Sequence, residues 1–289
     1  MRLLVLGAGG QLGGEVLAAA ARRGIAARGA GRAEADLADG AALAAFLAAE
    51  PFDAAVNCAA LVNVEAIEAD PAPALAVNGR AAGIVAAAAA AKGARLVHVS
   101  TDYVFGGDAG RTAPLVETDP PAPVNVYGLS KLYGETLAGL AGGDLAVFRV
   151  ASVFGPRGTS GRGGNFVETM IRVGRERGRL TVVADQVMSP TSALWAAEAI
   201  LDFLDRGGPP GVYHAANAGA VSWFDFARAI VARAGVAAEV VPIAAADWPS
   251  PVRRPAWSAL DCARLAGVIG PIPPWETALE AYLAATGRG

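Results

Sequence analysis

Through the first half of the chain, short runs of apolar and β-branched residues alternate with longer alanine-rich stretches. The runs Leu3 to Leu6, Ile25 to Arg28, Ala54 to Asn57, Leu96 to Ser100 and Ala146 to Val150 have the length and composition of strands. Each leads into turn residues or a helical stretch. That rhythm predicts parallel βαβ units, hence an α/β fold with five strands in a Rossmann-type doubly wound sheet. After residue 150 the pattern changes, and residues 155–164 are so rich in glycine that they predict a connection rather than an element interior. Helical stretches follow at Ala193 to Arg206 and Phe224 to Ala234, with Gly-Pro-rich breaks at 207–211 and 270–274. The expected division is one domain over 1–154, completed by returning segments, and a smaller α/β lobe made mainly by 155–289. No internal repeat or low-complexity tail is evident.

Composition narrows the class. Alanine accounts for much of the 54% hydrophobic share, and it is a helix former more than a membrane anchor. A formal charge of -3 offers no excess of cations for a phosphate backbone, which argues against nucleic acid as a partner. Cys58 and Cys262 stand in unrelated contexts. They match neither a disulfide framework nor a zinc site, so no metal is expected, and a reducing cytoplasm is the expected compartment. The N-terminal apolar run meets Gly7 too early for a signal sequence. Ala81 to Ala91 ends at Lys92-Gly93, short of a bilayer span, so no membrane segment is expected.

Directly after the first strand comes Gly7-Ala8-Gly9-Gly10-Gln11-Leu12-Gly13, with glycines at 7, 10 and 13 and a helix-compatible run behind them. A glycine turn between strand and helix lets backbone N–H groups approach a pyrophosphate, and the helix N-terminus adds its positive dipole end. Such a turn also serves simple close packing, but its place after a first strand favours dinucleotide binding. The second strand runs into Arg28-Gly29-Ala30-Gly31-Arg32 without the carboxylate that a ribose 2′-OH calls for. Arg32 would suit a 2′-phosphate, which favours NADPH and leaves NADH open. Asp36-Leu37 follows, placed to lie under an adenine, and Asn57-Cys58-Ala59-Ala60 puts small residues at the end of the third strand.

Tyr127-Gly128-Leu129-Ser130-Lys131 sets a tyrosine and a lysine four apart, on one face of a helix. A tyrosine with its ordinary pKa of about 10 is a poor acid–base catalyst at neutral pH, and a neighbouring ammonium stabilises the phenolate. The pair alone is common on helix surfaces. Lys92 and Lys131 are the only lysines in a chain that otherwise uses arginine, so a lysine at 131 points to a need for a compact charge. The fourth strand ends in Ser100-Thr101-Asp102, which places a hydroxyl at the catalytic edge of the sheet, where Thr101 can hold a substrate oxygen while Tyr127 delivers a proton. His98 and His214, in strand-like runs, are expected to be core histidines.

With these residues in place the chain resembles the extended short-chain dehydrogenase/reductase superfamily, and within it the dTDP-4-dehydrorhamnose reductase family. The likeness runs through Gly10-Gln11-Leu12-Gly13, Ser100 to Phe105, Glu117-Thr118-Asp119, Asn125 to Lys131, and Asn165-Phe166 with Thr169-Met170. It continues in Asp185-Gln186 with Pro190-Thr191, Ser222-Trp223, Arg254-Pro255 with Ser258, and Pro274-Trp275-Glu276. The resemblance implies reduction of the C4 keto group of a dTDP-linked 6-deoxyhexulose, in deoxysugar (dTDP-rhamnose) biosynthesis, with Thr101, Tyr127 and Lys131 as catalytic residues. Gly7, Gly10, Gln11, Leu12, Arg32, Asp36, Leu37, Ala59, Ala60, Tyr127 and Lys131 would hold the cofactor. Thr101, Asp102, Ser152, Asn165 and Arg254 would meet the nucleotide sugar, largely in the second lobe.

Departures from the family pattern gather near the expected sugar pocket. Arg149-Val150-Ala151-Ser152 ends in serine where the family has tryptophan, so the aromatic wall is expected to be missing. Leu61-Val62 replace a polar or aromatic residue and a threonine, Glu65-Ala66 replace an aspartate-lysine pair, and Trp257 replaces an asparagine. An apolar residue cannot supply a lost hydrogen bond, so these changes predict kept chemistry with altered sugar specificity. Two other readings compete. One is a non-catalytic nucleotide-binding regulatory subunit of the same fold, against which the intact triad argues. The other is a nucleotide-sugar epimerase or dehydratase, for which no second acid–base pair stands near Thr101. The exact sugar, a homodimer and a metal at a subunit contact are left open.

Overall fold

The computed structural model describes residues 1–157 and 164–288. Strands β1 (Arg2–Leu6), β2 (Ala26–Ala30), β3 (Ala54–Asn57), β4 (Arg95–Thr101) and β5 (Leu145–Val150) follow the five apolar runs. The second half adds β6 (Val153–Phe154), β7 (Arg179–Val183), β8 (Val187–Met188), β9 (Thr191–Ser192), β10 (Gly211–His214), β11 (Val221–Ser222) and β12 (Glu239–Ile243). The central sheet has six strands rather than five, all parallel, in the order β10-β5-β4-β3-β1-β2. β2 begins one residue later than its apolar run and ends two later. Ile25 is still held by the preceding helix, its N–H bonded to Ala20, and an edge strand tolerates Arg28-Gly29.

Both faces of the sheet are covered. On one, the helices Gln11–Arg22 and Ala193–Asp205 bury Val16, Ala19, Ala196 and Ile200 against Val5, Val56 and Phe148. The second of these helices lies after residue 155 yet packs on the sheet, as a returning segment. The other face buries Leu43, Leu47, Val85 and Ala89 against Leu4, Ala55 and Leu96. A separate core forms where the helices Phe166–Arg177, Trp223–Arg233 and Trp275–Thr286 enclose Phe154, Leu180 and Val182, with β7 paired to β12.

One sequence expectation needs correction. The alanine-rich helix does not begin at Ala81 but runs Pro71–Ala91, 21 residues, long and apolar enough by length and composition to cross a bilayer. Its apolar positions Ala74, Ala81, Ala82, Val85, Ala86 and Ala89 are buried in this fold. Within it Asn78, 1% exposed, accepts from the Leu61 N–H and donates to the Leu61 carbonyl and the Ser130 hydroxyl. It therefore ties the loop after β3 to the helix that carries Tyr127, as a core helix does.

In this strand order β1 lies between β2 and β3, so the chain reverses direction across the sheet between β1 and β3. A crevice opens at such a point, beyond the carboxyl ends of the strands. The glycine turn and the small residues 58–60 both lie there.

Candidate active site

At the crevice Gly7, Gly10, Arg32, Asp36, Leu37, Ala59 and Ala60 line a cavity of ≈ 850 Å³. Gly7 has φ +75, and a Cβ built on it would sit 2.7 Å from the Ala59 nitrogen; one on Gly13 would sit 2.3 Å from the Gly7 carbonyl oxygen. These two glycines are needed by the fold itself, to bring the β1 and β3 turns and the helix together. The helix Gln11–Arg22 starts with Gly10, without a capping side chain or an acidic residue in its first turn. Asp39, Asn63, Asn125, Asn165 and Ser222 cap other helices with their side chains. An uncapped N-terminus facing a cavity is what an anionic pyrophosphate requires, so these residues fit a dinucleotide. Gln11 is buried, and its amide donates to the Val153 carbonyl at 2.8 Å.

Gly10, Cys58, Ala60 and Val62 are shared with a second cavity of ≈ 320 Å³ that also contains Gln11, Leu12, Thr101, Asp102, Tyr127, Lys131 and Ser152. Three elements converge here. Tyr127 and Lys131 lie on the helix Val126–Ala141, whose first turn Asn125 caps through the Gly128 N–H at 2.8 Å. Gly128 lets that helix touch the loop after β4, since a Cβ there would fall 2.0 Å from the Tyr103 carbonyl oxygen. Lys131, 2% exposed, donates from Nζ to the Val99 carbonyl at 2.7 Å. Burial pushes its pKa down to about 8, against the opposing pull of Glu135 and Cys58. Glu135 is itself held by Arg149 (2.7 Å) and by the Ser100 hydroxyl (2.5 Å), a buried, hydrogen-bonded ion pair behind the lysine.

Thr101 ends β4, accepts from the Tyr103 N–H, and donates to Asp102 Oδ1 at 3.0 Å. Asp102 lines the same cavity, but its carboxylate is engaged on both oxygens, with Ser258 donating to Oδ2 at 2.6 Å. Burial raises its pKa to about 6, opposed by the hydrogen bonds from Ser258 and Thr101. Its geometry suits orienting Thr101 rather than meeting a ligand directly. Tyr103 packs edge-on to Tyr127, with ring centroids 5.7 Å apart. Cys58 faces the cavity too, and burial pushes its thiol up to about 12, so it is no nucleophile at neutral pH. His98 and His214 are buried as expected, with Nδ1 engaged by Asn57 and by backbone carbonyls respectively.

Val64, Tyr103 and Trp223 connect this neck to a third cavity of ≈ 780 Å³, walled by Asn165, Phe166, Thr181, Trp248, Val252 and Arg254. One expectation changes here. Trp223, packed on Phe166 with centroids 4.6 Å apart, lines the neck together with Ser152. Trp257 lies elsewhere, packed against the buried cluster of Val104, Phe105, Ala151 and Leu260, and lines none of the three cavities. Asn165 does line the third cavity, but its amide caps the helix Phe166–Arg177 and donates to the Gly155 carbonyl at 2.7 Å. Ser152 takes φ 44, the one non-glycine residue in the left-handed region among the described residues. Sequence reasoning did not single out Trp223, Trp248 or Ser258 as site residues. Ser222-Trp223 and Ser258 stood among the family-like motifs, and that was their only signal. The glycine-rich connection lies partly outside the described residues, at 158–163.

A glycine-turn crevice opening into a buried Tyr/Lys neck and then a second-lobe cavity defines an extended short-chain dehydrogenase/reductase. The RmlD substrate binding domain description matches residues 1–287, and the chain belongs to this family, that of the dTDP-4-dehydrorhamnose reductases. It is 42% identical to the dTDP-4-dehydrorhamnose reductase of Burkholderia thailandensis over 96% of this chain and 97% of that protein. The crystal structure of a dTDP-4-dehydrorhamnose reductase from Clostridium acetobutylicum superposes with a TM-score of 0.92 at 31% identity, covering 99% of this chain and 100% of that one. The Bacillus anthracis enzyme, solved in complex with NADP, superposes at 0.91 with 32% identity and 99% coverage of both chains.

Proposed function

We propose that this chain reduces the C4 keto group of a dTDP-linked 6-deoxyhexulose, as its relatives' names describe, and that NADPH is its reductant, with NADH as the alternative. The observation that carries the reading is the neck: Thr101, Tyr127 and Lys131 line one small cavity that joins the glycine-turn crevice to the second-lobe cavity. When bound, the dinucleotide supplies the hydride. Tyr127 is the proton donor to the carbonyl oxygen, and the Lys131 ammonium, fixed by Val99, stabilises the resulting phenolate. Thr101 meets the carbonyl oxygen by turning to it the single hydroxyl proton that it otherwise donates to Asp102. Gly7, Gly10, Gln11, Leu12, Asp36, Leu37, Ala59 and Ala60 hold the cofactor, and Arg32 faces its 2′-phosphate. Arg254 takes the nucleotide part of the substrate, while Ser152 and Asn165 shape the walls. In this reading residues 1–154 with the returning segments form the cofactor domain and 155–289 mainly the substrate lobe, in a cytoplasmic enzyme.

The test is a panel of dTDP-4-keto-6-deoxyhexoses followed by NAD(P)H absorbance. Net oxidation of NADPH with a keto sugar supports the reading. Tight NADPH binding without turnover on any sugar of the panel would favour a binding subunit, and interconversion of sugars without net oxidation would favour an epimerase.

A further inference from the structure

Resting on the reading of a nucleotide-diphosphate substrate, the second-lobe cavity raises a charge problem. Among the described residues that line it, Arg254 is the one cation and Glu65 the one carboxylate. The two are paired: the Arg254 guanidinium bonds Glu65 Oε1 across the cleft, from a position 189 residues away. Another of its nitrogens donates to the Ser250 hydroxyl at 2.7 Å, and Tyr103, which packs on Tyr127, lines the same cavity. An incoming diphosphate thus meets a cation already neutralised.

We propose that Glu65 is an electrostatic latch on Arg254, which an anionic diphosphate must displace, so that Glu65 sets the affinity for the nucleotide part of the substrate. Three features favour displacement over permanent pairing. The Glu65 side chain is 43% exposed and that of Arg254 20%, so the released carboxylate turns into water while the guanidinium stays in the cavity wall. Arg254 keeps Ser250 and the Val252 carbonyl as supports when Glu65 leaves. A guanidinium also pairs at least as well with phosphate oxygens as with a carboxylate.

The test is calorimetric titration with dTDP, and separately with inorganic pyrophosphate, of wild type, Glu65→Gln, Arg254→Gln and the double variant. Glu65→Gln is expected to tighten dTDP about fivefold, the equivalent of ~1 kcal/mol for a partly exposed pair. NADPH affinity should stay unchanged, because Glu65 does not line the cofactor cavity. The gain should vanish in the Arg254→Gln background. Unchanged or weaker dTDP binding in Glu65→Gln, or a gain that persists without Arg254, overturns the latch. Absence of binding of both probes to every variant overturns it as well. If pyrophosphate shows the Glu65→Gln gain while dTDP does not bind, the latch stands and the dTDP-sugar reading falls.

Discussion

At the cofactor end of the cleft the chain presents backbone and small side chains, Gly7, Gly10, Ala59 and Ala60, whereas the far end is walled by Glu65, Trp223, Trp248 and Arg254. The first set comes from two turns that follow neighbouring strands, β1 and β3, paired in register from Leu3 with Ala54 to Leu6 with Asn57. The second is assembled from both halves of the chain. A surface made of backbone is tied to the fold, so a change there costs structure. One made of long side chains can be rewritten without touching the core, and the departures at Val62, Glu65 and Ser152 sit on that wall or on the neck beside it, while those at Leu61 and Ala66 line the cofactor cavity. The neck between them carries Thr101, Tyr127 and Lys131.

The most severe break is expected at the neck. Tyr127→Phe removes the proposed proton donor without adding volume, and turnover should fall by about 10²- to 10⁴-fold while NADPH binding persists. Single-turnover oxidation of bound NADPH separates the two effects, and unchanged turnover would remove Tyr127 as the acid. Next comes the cofactor end. Gly13→Val places a branched side chain where even a Cβ lies 2.3 Å from the Gly7 carbonyl oxygen, so NADPH affinity should drop by about 100-fold or more, with a lower melting temperature. Gly9→Ala is the control, since a Cβ there meets nothing within 4 Å. If Gly13→Val bound NADPH normally, the backbone-built character of this end would be wrong.

A milder lever is pH. Burial favours the neutral amine of Lys131, so its ammonium prevails only below about pH 8. The reaction needs that ammonium beside the phenol, so kcat/KM should decline as pH rises through about 8, by about tenfold per unit beyond it. The stability linkage has the opposite sense. The folded pKa lies below that of the unfolded chain, so the cost of burying the charge is fully present below pH 8 and is relieved as pH rises from there towards the unfolded value. Lys131→Met should accordingly abolish turnover and raise stability at pH 7 by on the order of 1–3 kcal/mol. A pH profile flat to pH 9.5, or a destabilised Lys131→Met, would show that the lysine is not held as a costly buried charge.

What could be read from the sequence follows the same division. The glycine turn, the tyrosine and lysine four apart and the hydroxyl ending β4 are local patterns, each legible because one element carries all of its parts. The Ser258 to Asp102 bond spans 156 residues and the Arg254 to Glu65 pair 189, so no periodicity announces either. Trp257 shows the hazard of arguing from substitutions alone: it was expected near the sugar pocket and packs against a buried cluster instead, lining none of the three cavities. The strand-like run at Val212-Tyr213-His214 was legible, but its place as the sixth strand of the central sheet was not, because it is short and finds its partner β5 only through the return of the chain.

The smallest effect tests whether the cofactor end is built of backbone alone. Arg32 lines the ≈ 850 Å³ cavity and makes no hydrogen bond or ion pair among the described residues, and Glu34 beside it turns back to the Gly31 N–H at 3.0 Å. An arginine there has no structural task, so its removal should leave the melting temperature unchanged. If it faces a 2′-phosphate, Arg32→Ala should weaken NADPH by about fivefold, a partly screened charge pair, and leave NADH untouched. The NADPH penalty should shrink as salt is raised, while the effects of Gly13→Val, which are steric, should not. Equal losses for both cofactors would mean that Arg32 acts on the shared part of the dinucleotide, and no loss for either would leave cofactor choice to the backbone.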